Sequence, residues 1–475
     1  MSLSNFSKSI TTLQLFTFRK KLMRMVFSLL FVVLFLFANS AFAQELPPLV
    51  GDGIADDTAA IQARLDSETT LVYLPPPKKC YLISKAIKIH SNQTLRLDPN
   101  TIVRRADGMN DYMILNSEIV KGNRNISVIG GIWDGNNAAN NCRYLLEKAS
   151  RTIKHHGEIF MGTSLLMLHV ENLRLENITV KDPVLFGIQI GGCRKFTVND
   201  ITFDYNLKNP SMDGVHIQGS CSEGRVTNIK GDTNDDMVAL NADDVPIFDV
   251  TPGPITDIEI DGLFVTEKCF RGVRMLSTGS PVKRISISNV FGPFYRNAVA
   301  FTHYQLPFHH VPRYEDITIN NIFCSKLTAA ERLDKAPHIL MRKSLAIIEL
   351  EGELSVDNLT ISNIHRREYL PDAAPTLFFR RGTKVGTLRL RDIQQVNATD
   401  VPLPFFRNEA SIMKMFTDGV VIREKTVDEA IPLTGEGKIV KQYGEILVEG
   451  EQELLDESNR LDEELKTKPA DKTII

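Results

Sequence analysis

The sequence predicts an all-β protein, a right-handed parallel β-helix in the form of a single-stranded solenoid with an N-terminal capping helix. The first observation behind this prediction is a phrase that recurs from about residue 125 onward. In it, alternating apolar residues are followed by Asn or Asp and then by another apolar residue, as in NISVIGGIWDG, NLRLENITV, ISISNVF and ITINNIF. Alternation predicts strands, and each unit is too short to bury its own apolar face, so successive units must stack.

The second observation is the spacing of the polar residue in this phrase. It stands at Asn177, Asp200, Asn228, Asp261, Asn289, Asn321, Asn363 and Asp392, with gaps that range from 23 to 42 residues. A constant strand phrase with variable gaps is typical of a parallel β-helix, in which the turns absorb insertions. A leucine-rich repeat would have a shorter and more regular period, and a β-propeller would have antiparallel blades of more even length. We expect the polar residue at a bend, where its side chain can hydrogen-bond to the backbone.

The N-terminal segment predicts export. Four basic residues between positions 19 and 24 precede an apolar run at 26–37, and Ala41-Phe42-Ala43 follows. This order is typical of a secretory signal peptide, here residues 1–43. The apolar run is about a dozen residues, whereas a membrane span needs about 20. A short membrane anchor is the alternative, but the favoured prediction is a secreted or periplasmic protein without a membrane span in the mature chain.

The remaining elements follow in chain order. A helix from Asp56 to Leu65 is predicted to cap the first coil, with Asp56 or Asp57 as N-cap and with Ile61 and Leu65 facing the coil. The β-helix domain is predicted to span residues 44–400, with a helical excursion or loop at 327–344. Residues 401–475 are predicted to form C-terminal strands and a charged tail that is helical or disordered.

Composition excludes some classes of function. The formal net charge of −3 argues against a nucleic-acid partner, which would normally require a basic excess. Six cysteines occur without a CxxC pair, so a zinc site is not expected. Cys193 and Cys221 would lie on adjoining coils, where they could form a disulfide, but small buried core residues are the favoured interpretation.

Two strands carry unusual acidic residues. One contains SMDGVHI from Ser211, and the next contains TNDDMVALN from Thr233, so Asp213 precedes Asp235 and Asp236 by about one coil. If Val215 pairs with Val238, Asp213 lies beside Asp236 on the neighbouring strand, with about 5 Å between the two backbones. The sequence therefore predicts three converging carboxylates.

Crowded carboxylates repel one another, which raises at least one pKa. One acid can then stay protonated while its neighbour activates water, and this is the pair that glycoside hydrolysis requires. Two alternatives remain. The aspartates could cap turns, or they could bind calcium, an option that the nearby Asp243-Asp244 pair strengthens. No other cofactor is expected.

The same register places basic residues near the aspartates. Arg271 falls beside Asp236, Arg274 falls two strands on from His216, and Arg296 and Asn297 follow one coil later. The arginines could clamp sugar carboxylates or could be ion-pair partners of the aspartates. His216 is interpreted as a surface residue rather than a proton carrier. The predicted substrate-binding residues are His216, Asn241, Arg271, Arg274 and His303.

Four segments resemble glycoside hydrolase family 28, the polygalacturonases within the pectin-active β-helix superfamily. They are GDGIADDTAAIQ from Gly51, GGIWDG from Gly130, MDGVHI from Met212 and NDDMVALN from Asn234. The resemblance implies an inverting hydrolase in which Asp235 is the general acid and Asp213 and Asp236 hold and activate water.

The chain also departs from the family pattern. The family's GHG histidine has no match at Phe270-Arg271-Gly272, and its RIK pair would fall at Ala300 and Thr302, or at Arg274 and Leu276. The function predicted from the sequence is hydrolysis of an acidic or pectin-like polysaccharide. The alternatives are a polysaccharide lyase with Arg271 as base and calcium as cofactor, and a non-catalytic glycan-binding β-helix.

Overall fold

The computed structural model describes residues 46–450 except 68, 110, 141–161, 210, 245–250, 304–309, 328–344, 372 and 426, together with Met23 and Met25. The chain divides into two compact units, Met1–Pro48 and Leu49–Ile475, and the features below belong to the second. The predicted signal peptide, the charged tail after residue 450, Cys142 and nearly all of the predicted 327–344 excursion lie outside the described residues. Among the described residues, no helix has the length and apolar character needed to cross a membrane.

The strands pair in parallel into three ladders that run along the molecule, which confirms the predicted parallel β-helix. Ladder 1 contains three short strands, the first parts of nine long strands and one final strand. Its members are β1 (Leu71–Leu74), β4 (Gln93–Leu97), β7 (Asn123–Ile129), β10 (Val170–Lys181), β12 (Arg194–Asp204), β14 (Ser222–Asn241), β15 (Ile255–Leu276), β16 (Val282–Thr302), β17 (Arg313–Lys326), β19 (Ser355–Glu368), β21 (Lys384–Asn397), β23 (Ser411–Glu424) and β25 (Lys438–Tyr443).

Ladder 2 contains the later parts of the same long strands, after the bend in each strand. Its own short strands are β2 (Tyr81–Ile83), β5 (Ile102–Arg105), β8 (Ile132–Asp134) and β26 (Ile446–Gly450).

Ladder 3 contains the last residues of β14, β15 and β16, flanked on both sides by short strands. These are β3 (Ile87–Ile89), β6 (Ile114–Asn116), β9 (Leu165–Leu168), β11 (Ile188–Gly191), β13 (Val215–Gln218), β18 (Ile348–Leu350), β20 (Leu377–Phe379), β22 (Phe406–Asn408) and β24 (Leu433–Thr434). Alternate side chains of all three ladders point inward, and the aliphatic ones form one continuous core.

The N-terminal cap is the helix α1 (Thr58–Leu65). Ile61 and Leu65 are buried in the core, as predicted. Asp57 occupies the N-cap position, but its carboxylate accepts hydrogen bonds from the backbone N–H groups of Val50 (2.7 Å) and Gly51 (3.1 Å). The carboxylate of Asp56 instead accepts the N–H of Thr58 at 2.9 Å. Of the two predicted cap residues, Asp56 therefore caps the helix and Asp57 stabilises the preceding turn.

The recurring polar residue marks the bend between ladders 1 and 2. Asn177, Asp200, Asn228, Asn289, Asn321, Asn363 and Asp392 all have a positive φ between 51° and 60°. Asn tolerates this left-handed conformation better than most residues. At the Asp261 repeat the conformation moves to Gly262, with φ 79°, and Asp261 accepts a hydrogen bond from Asn289 at 2.5 Å. Such side-chain bonds link successive coils along the bend.

On the outward face of ladder 2, four aromatic rings from successive coils form a stack. The rings of Phe264, Phe291, Phe323 and His365 lie 5.1, 5.2 and 4.5 Å apart with interplanar angles of 2° to 7°. They occupy one position in the register of the four coils. Phe264 and Phe323 are among the exposed large hydrophobic residues.

The predicted domain boundary at residue 400 is too early. Strands β22 to β26 continue all three parallel ladders as far as Gly450, after which the described residues end. A short 3-10 helix (Val427–Glu429) lies between them. The cysteines agree with the core interpretation. Cys193, Cys221, Cys269 and Cys324 are free thiols and buried, whereas the free Cys80 is only partly buried.

Candidate active site

The aspartates lie where ladder 2 passes into ladder 3. Val215 pairs with Val238 and Ile217 with Leu240, which is the predicted register. Gly214 allows the coils to approach here, because a Cβ at this position would lie 2.4 Å from the carbonyl oxygen of Met237 and 2.3 Å from the ring of Phe203. The backbone N–H of Gly214 donates to the carbonyl of Asp236 at 2.9 Å. The Asp-Gly pair therefore positions the Asp213 side chain beside Asp236.

The structure brings the three predicted carboxylates together. One oxygen each from Asp213, Asp235 and Asp236 lies within 4.8 Å of the others. Asp213 and Asp236 are buried, with 4% and 1% of their surfaces exposed, whereas Asp235 is partly exposed. Asp235 is therefore the least buried residue of the three.

A hydrogen-bonded chain holds Asp213 from behind. Asn241 donates its Nδ2 to Asp244 Oδ2 at 3.1 Å, and the same nitrogen lies 3.3 Å from Nε2 of His216. Because an amide nitrogen only donates, Nε2 of the ring is the acceptor, so Nδ1 carries the proton and donates to Asp213 Oδ2 at 2.6 Å. The other oxygen of Asp213 accepts the backbone N–H of Asp236 at 3.3 Å. Both oxygens of Asp213 are therefore acceptors.

Asp236 is compensated by two arginines. Arg271 donates its Nη1 to Asp236 Oδ1, and Nη1 of Arg274 lies 3.6 Å from Oδ2 of the same carboxylate. Arg271 is buried and its Nε donates to Asn297 at 3.3 Å, while its guanidinium lies 5.4 Å from the centre of the Phe270 ring. These contacts favour the ion-pair interpretation of Arg271 over the sugar-clamp interpretation.

Burial and mutual repulsion perturb the acids. Desolvation, followed by the charge of Asp236, raises the pKa of Asp213 well above 3.8. Desolvation and the charges of Asp236 and Asp213 likewise raise the pKa of Asp235 well above that value. Desolvation lowers the pKa of His216 to about 4, so its ring is neutral near pH 7. The surroundings thus favour the protonated form of Asp213 and Asp235.

The other residues predicted to bind substrate differ in burial and in their distance from the aspartates. His216 is buried against the Phe186 ring, with centroids 4.1 Å apart, so its interpretation as a surface residue is wrong. Arg274 has 17% of its side chain exposed and donates its Nε to Thr302 at 3.0 Å. The ring of His303 lies 2.6 Å from the carbonyl oxygen of Gly352, and its backbone N–H donates to Glu351, so its described contacts lie on a later coil. The functional roles of all these residues stay predictions.

Sequence reasoning missed Phe186 and Gln189, and it considered Asp244 only as part of a calcium site. Ile188 pairs with Val215, so Phe186 holds the position in its coil that Asp213 holds in the next. The signal was visible in the sequence, because Phe186-Gly187-Ile188-Gln189 has the same pattern as Asp213-Gly214-Val215-His216. No comparable signal indicated that Asp244 contacts Asn241, since Asp244 follows the end of β14 and strand alternation does not fix its direction.

Comparison with known proteins gives partial matches. Residues 72–255 match the sequence model of glycosyl hydrolases family 28. A polygalacturonase of Gossypium barbadense is 26% identical over 217 residues, which are 43% of this chain and 47% of that protein. A probable polygalacturonase of Arabidopsis thaliana is 31% identical over 119 residues, which are 24% of this chain and 26% of that protein. The chain therefore matches about half of the length of these relatives or less.

A solved structure extends the likeness of fold along the chain. The pre-mature gene product 12 of bacteriophage phi29 matches with a TM-score of 0.53 at 13% identity, covering 84% of this chain and 55% of that chain. At this identity the match concerns the fold alone. The segment that matches the family model contains Asp213, Asp235 and Asp236. The resemblance to glycoside hydrolase family 28 that the sequence predicts is therefore confirmed over residues 72–255.

Proposed function

We propose that the chain is an exported glycoside hydrolase that cleaves an acidic or pectin-like polysaccharide by carboxylate acid/base catalysis. The observation that carries the proposal is the convergence of three carboxylates in unequal surroundings, with oxygens within 4.8 Å and one of the three partly exposed. Hydrolysis of a glycosidic bond needs a protonated acid beside an ionised base, and these surroundings separate the two roles.

Asp235 is the proposed general acid. It is the partly exposed member of the three, and its raised pKa keeps it protonated in the pH range where an ordinary aspartate is ionised. Neither Asp213 nor Asp236 suits this role as well, because both are buried and already engaged by donors or by arginine. The single proton that the three share is therefore placed on Asp235, from which it passes to the glycosidic oxygen.

Asp213 and Asp236 are proposed to hold and activate the attacking water. The pKa of Asp213 is raised as well, but its two oxygens accept from His216 Nδ1 and from the N–H of Asp236, and these donors favour its ionised form once Asp235 holds the shared proton. Asp236 forms an ion pair with Arg271 and lies 3.6 Å from Arg274. A water molecule between the two carboxylates would find acceptors for both of its protons, which orients an oxygen lone pair outward toward the anomeric carbon.

The distances bear on stereochemistry. Inverting enzymes separate the two carboxyl groups by about 6.5–9.5 Å and retaining enzymes by about 5–5.5 Å. The nearest oxygens here lie within 4.8 Å, which is shorter than the usual inverting arrangement. Inversion remains part of the proposal because a third carboxylate is available to hold water. Proton NMR of the first product formed decides between the anomers.

The lyase alternative receives less support. It requires an arginine or lysine free to act as a base, whereas Arg271 is buried in an ion pair with Asp236 and Arg274 donates its Nε to Thr302 at 3.0 Å. A lyase would also release an unsaturated product that absorbs ultraviolet light. Absorbance during digestion therefore separates the two reactions in one cuvette.

The experiment is digestion of a panel of acidic and pectin-like polysaccharides, followed by a reducing-sugar assay. Asp235→Asn is expected to lower kcat about 10²–10⁴-fold, the usual contribution of a positioned acid. Asp213→Asn should also abolish most activity. Asp232→Asn is the matched control, because Asp232 lies on the same strand but binds the backbone N–H groups of Glu267 and Lys268. If the panel yields no reducing ends, the proposal is wrong and a glycan-binding role takes its place. If Asp235→Asn keeps full activity, the assignment of Asp235 as general acid is wrong.

A further inference from the structure

The outward row of ladder 3 that contains Arg274 continues through four later coils. In register, its members are Arg274, Ala300, Glu349, Phe378 and Arg407. Phe378 is partly exposed and Arg407 is exposed. Successive coils of a parallel ladder are about 4.8 Å apart, so Phe378 lies about 14 Å and Arg407 about 19 Å from Arg274 along the axis. The C-terminal end of this row is therefore a solvent-accessible surface on the same ladder as the candidate active site.

Two guanidinium groups share the ring of Phe378 on this surface. The central carbon of the Arg380 guanidinium lies 4.8 Å from the centre of the ring, and that of Arg407 lies 4.6 Å from it. A cation over the face of an aromatic ring is attracted by the quadrupole of the ring. Phe378 therefore holds two positively charged groups close together. We call Phe378, Arg380 and Arg407 the two-arginine site.

Each guanidinium of the two-arginine site also has one carboxylate partner. Arg380 donates its Nε to Glu349 Oε1 at 2.6 Å. Arg407 directs its Nε and Nη2 to a single oxygen of Glu409, Oε1. Among the described residues, Nη1 and Nη2 of Arg380 and Nη1 of Arg407 have no hydrogen-bond partner. The two arginine side chains are 40% and 51% exposed, so these N–H groups remain for a ligand.

This arrangement differs from that of Arg271, whose side chain is only 6% exposed in its ion pair. At the two-arginine site the carboxylates fix one side of each guanidinium and leave another side open to solvent. Glu349 also accepts from Nδ2 of Asn297 at 3.2 Å, and Oδ1 of Asn297 accepts from Arg271. A chain of hydrogen bonds thus connects Arg380 with the candidate active site and fixes its position.

The chemistry of these donors indicates the class of ligand. The N–H groups of a guanidinium match the two oxygens of a carboxylate in charge and in geometry. A polymer of uronic acids carries one carboxylate on each sugar, so neighbouring sugars can supply one to each arginine. The ring and the two glutamates have already restricted both side chains, and binding therefore costs less side-chain entropy than it would for two unrestrained arginines.

From the shared ring, the exposed guanidinium N–H groups and their place on ladder 3, we propose that Phe378, Arg380 and Arg407 form a binding site for the carboxylates of a polyuronate. The site is separate from the three aspartates and binds the polymer whether or not they cleave it. It goes beyond the proposed function, because it adds a second point of attachment for the glycan. Retention at this site raises the local concentration of the polymer at the candidate active site.

The test is affinity electrophoresis of the full chain in native gels that contain polygalacturonate, alginate or fully methyl-esterified pectin. We expect the two polyuronates to retard the wild type, whereas the uncharged ester should cause no comparable retardation. Arg407→Gln should raise the apparent Kd for the polyuronates about 10-fold, through the loss of a charge-assisted contact. Its melting temperature should stay near that of the wild type, because the ion pair of Arg407 is exposed.

The matched control is Arg389→Gln. The guanidinium of Arg389 also lies over a phenylalanine of the next coil, 5.5 Å from the centre of the Phe416 ring, but this pair belongs to ladder 1. The control removes the same charge from the same kind of contact, and it should leave the apparent Kd unchanged. Phe378→Leu keeps both charges and removes the ring that positions them, so we expect a smaller rise in Kd, about 3-fold.

A wild-type Kd for the polyuronates in Arg407→Gln would overturn the site. An equal rise in Arg389→Gln, or equal retardation of the wild type by the methyl ester, would overturn it as well. The reducing-sugar assay separates this inference from the proposed function. Binding that depends on Arg407 without any release of sugar leaves the site standing and refutes the hydrolase, whereas hydrolysis with binding that is independent of Arg407 refutes the site alone.

Discussion

Replacing Arg271 with methionine would distinguish an internal ion-pair partner from a sugar clamp. Arg271 and Asp236 are both buried, so the substitution leaves an uncompensated charge in the site. Breaking a buried pair in this way costs about 3–5 kcal/mol. Arg274 remains 3.6 Å from the other oxygen of Asp236 and offsets part of the loss, so we expect about 3 kcal/mol, near the lower bound.

The assay is urea unfolding followed by circular dichroism, for the wild type, Arg271→Met, Asp236→Asn and the double variant. If the pair accounts for the loss, Arg271→Met should cost much less in the Asp236→Asn background, with a coupling of about 2 kcal/mol. Because stacked coils can unfold in stages, the four proteins must show single transitions of the same slope before free energies are compared.

The sugar-clamp interpretation predicts a different result. If Arg271 grips a substrate carboxylate, Arg271→Met raises KM and leaves the unfolding transition where it is. An unfolding midpoint equal to that of the wild type, or a double variant in which the two costs simply add, would refute the ion-pair reasoning. Arg274→Met is the control, since its longer contact and partial exposure predict a smaller loss of stability.

Three further predictions concern the same molecule. The pKa values of Asp213 and Asp235 are raised in the folded chain, so their contribution to stability is complete below about pH 4 and is lost as pH rises through the folded pKa values. Asp235→Asn should therefore unfold at a higher temperature than the wild type at neutral pH, but not at about pH 3.5 or below. Activity should be unchanged by EDTA, because Arg271 and Arg274 already face the Asp236 carboxylate; a loss that calcium restores would assign a metal to the three aspartates. At the bend, Asn321→Val should lower the free energy of unfolding by about 2 kcal/mol or more, and Asn321→Gly by about 1 kcal/mol, because only the valine forces a β-branched residue into the left-handed region. Equal losses in thermal unfolding would contradict this account.

The register of the site could be predicted because no insertion separates the two coils that carry it. Asp213 and Asp236 are one uninterrupted coil apart, so counting residues places Val215 beside Val238. Alternation then fixes which side chains face outward. The same counting would have identified Phe186, had the coil before Asp213 been included.

The limits of sequence reasoning have two physical causes. The C-terminal coils were missed because Gly419, with φ 62°, takes the bend position, so that the polar marker Asp418 stands one residue before it, as Asp261 does before Gly262, while the spacing of the phrase is lost in the short turns that follow. The chain from Asp213 through His216 and Asn241 to Asp244 was missed because it closes in a turn beyond the strand. Side-chain directions in a turn follow from tertiary contacts, which a period of two residues does not describe.

The stack of Phe264, Phe291, Phe323 and His365 bears on how the chain finds its correct alignment during folding. Coils of similar composition could in principle dock one repeat out of step, since the aliphatic core would tolerate the slip. A slip of one coil would leave a ring at one end of the stack without its neighbour and would bring a ring at the other end against Lys230 or Gln394, which hold the adjoining positions. The aromatic stack thus distinguishes these four coils from the others, and it destabilises arrangements in which the coils are paired one repeat out of register.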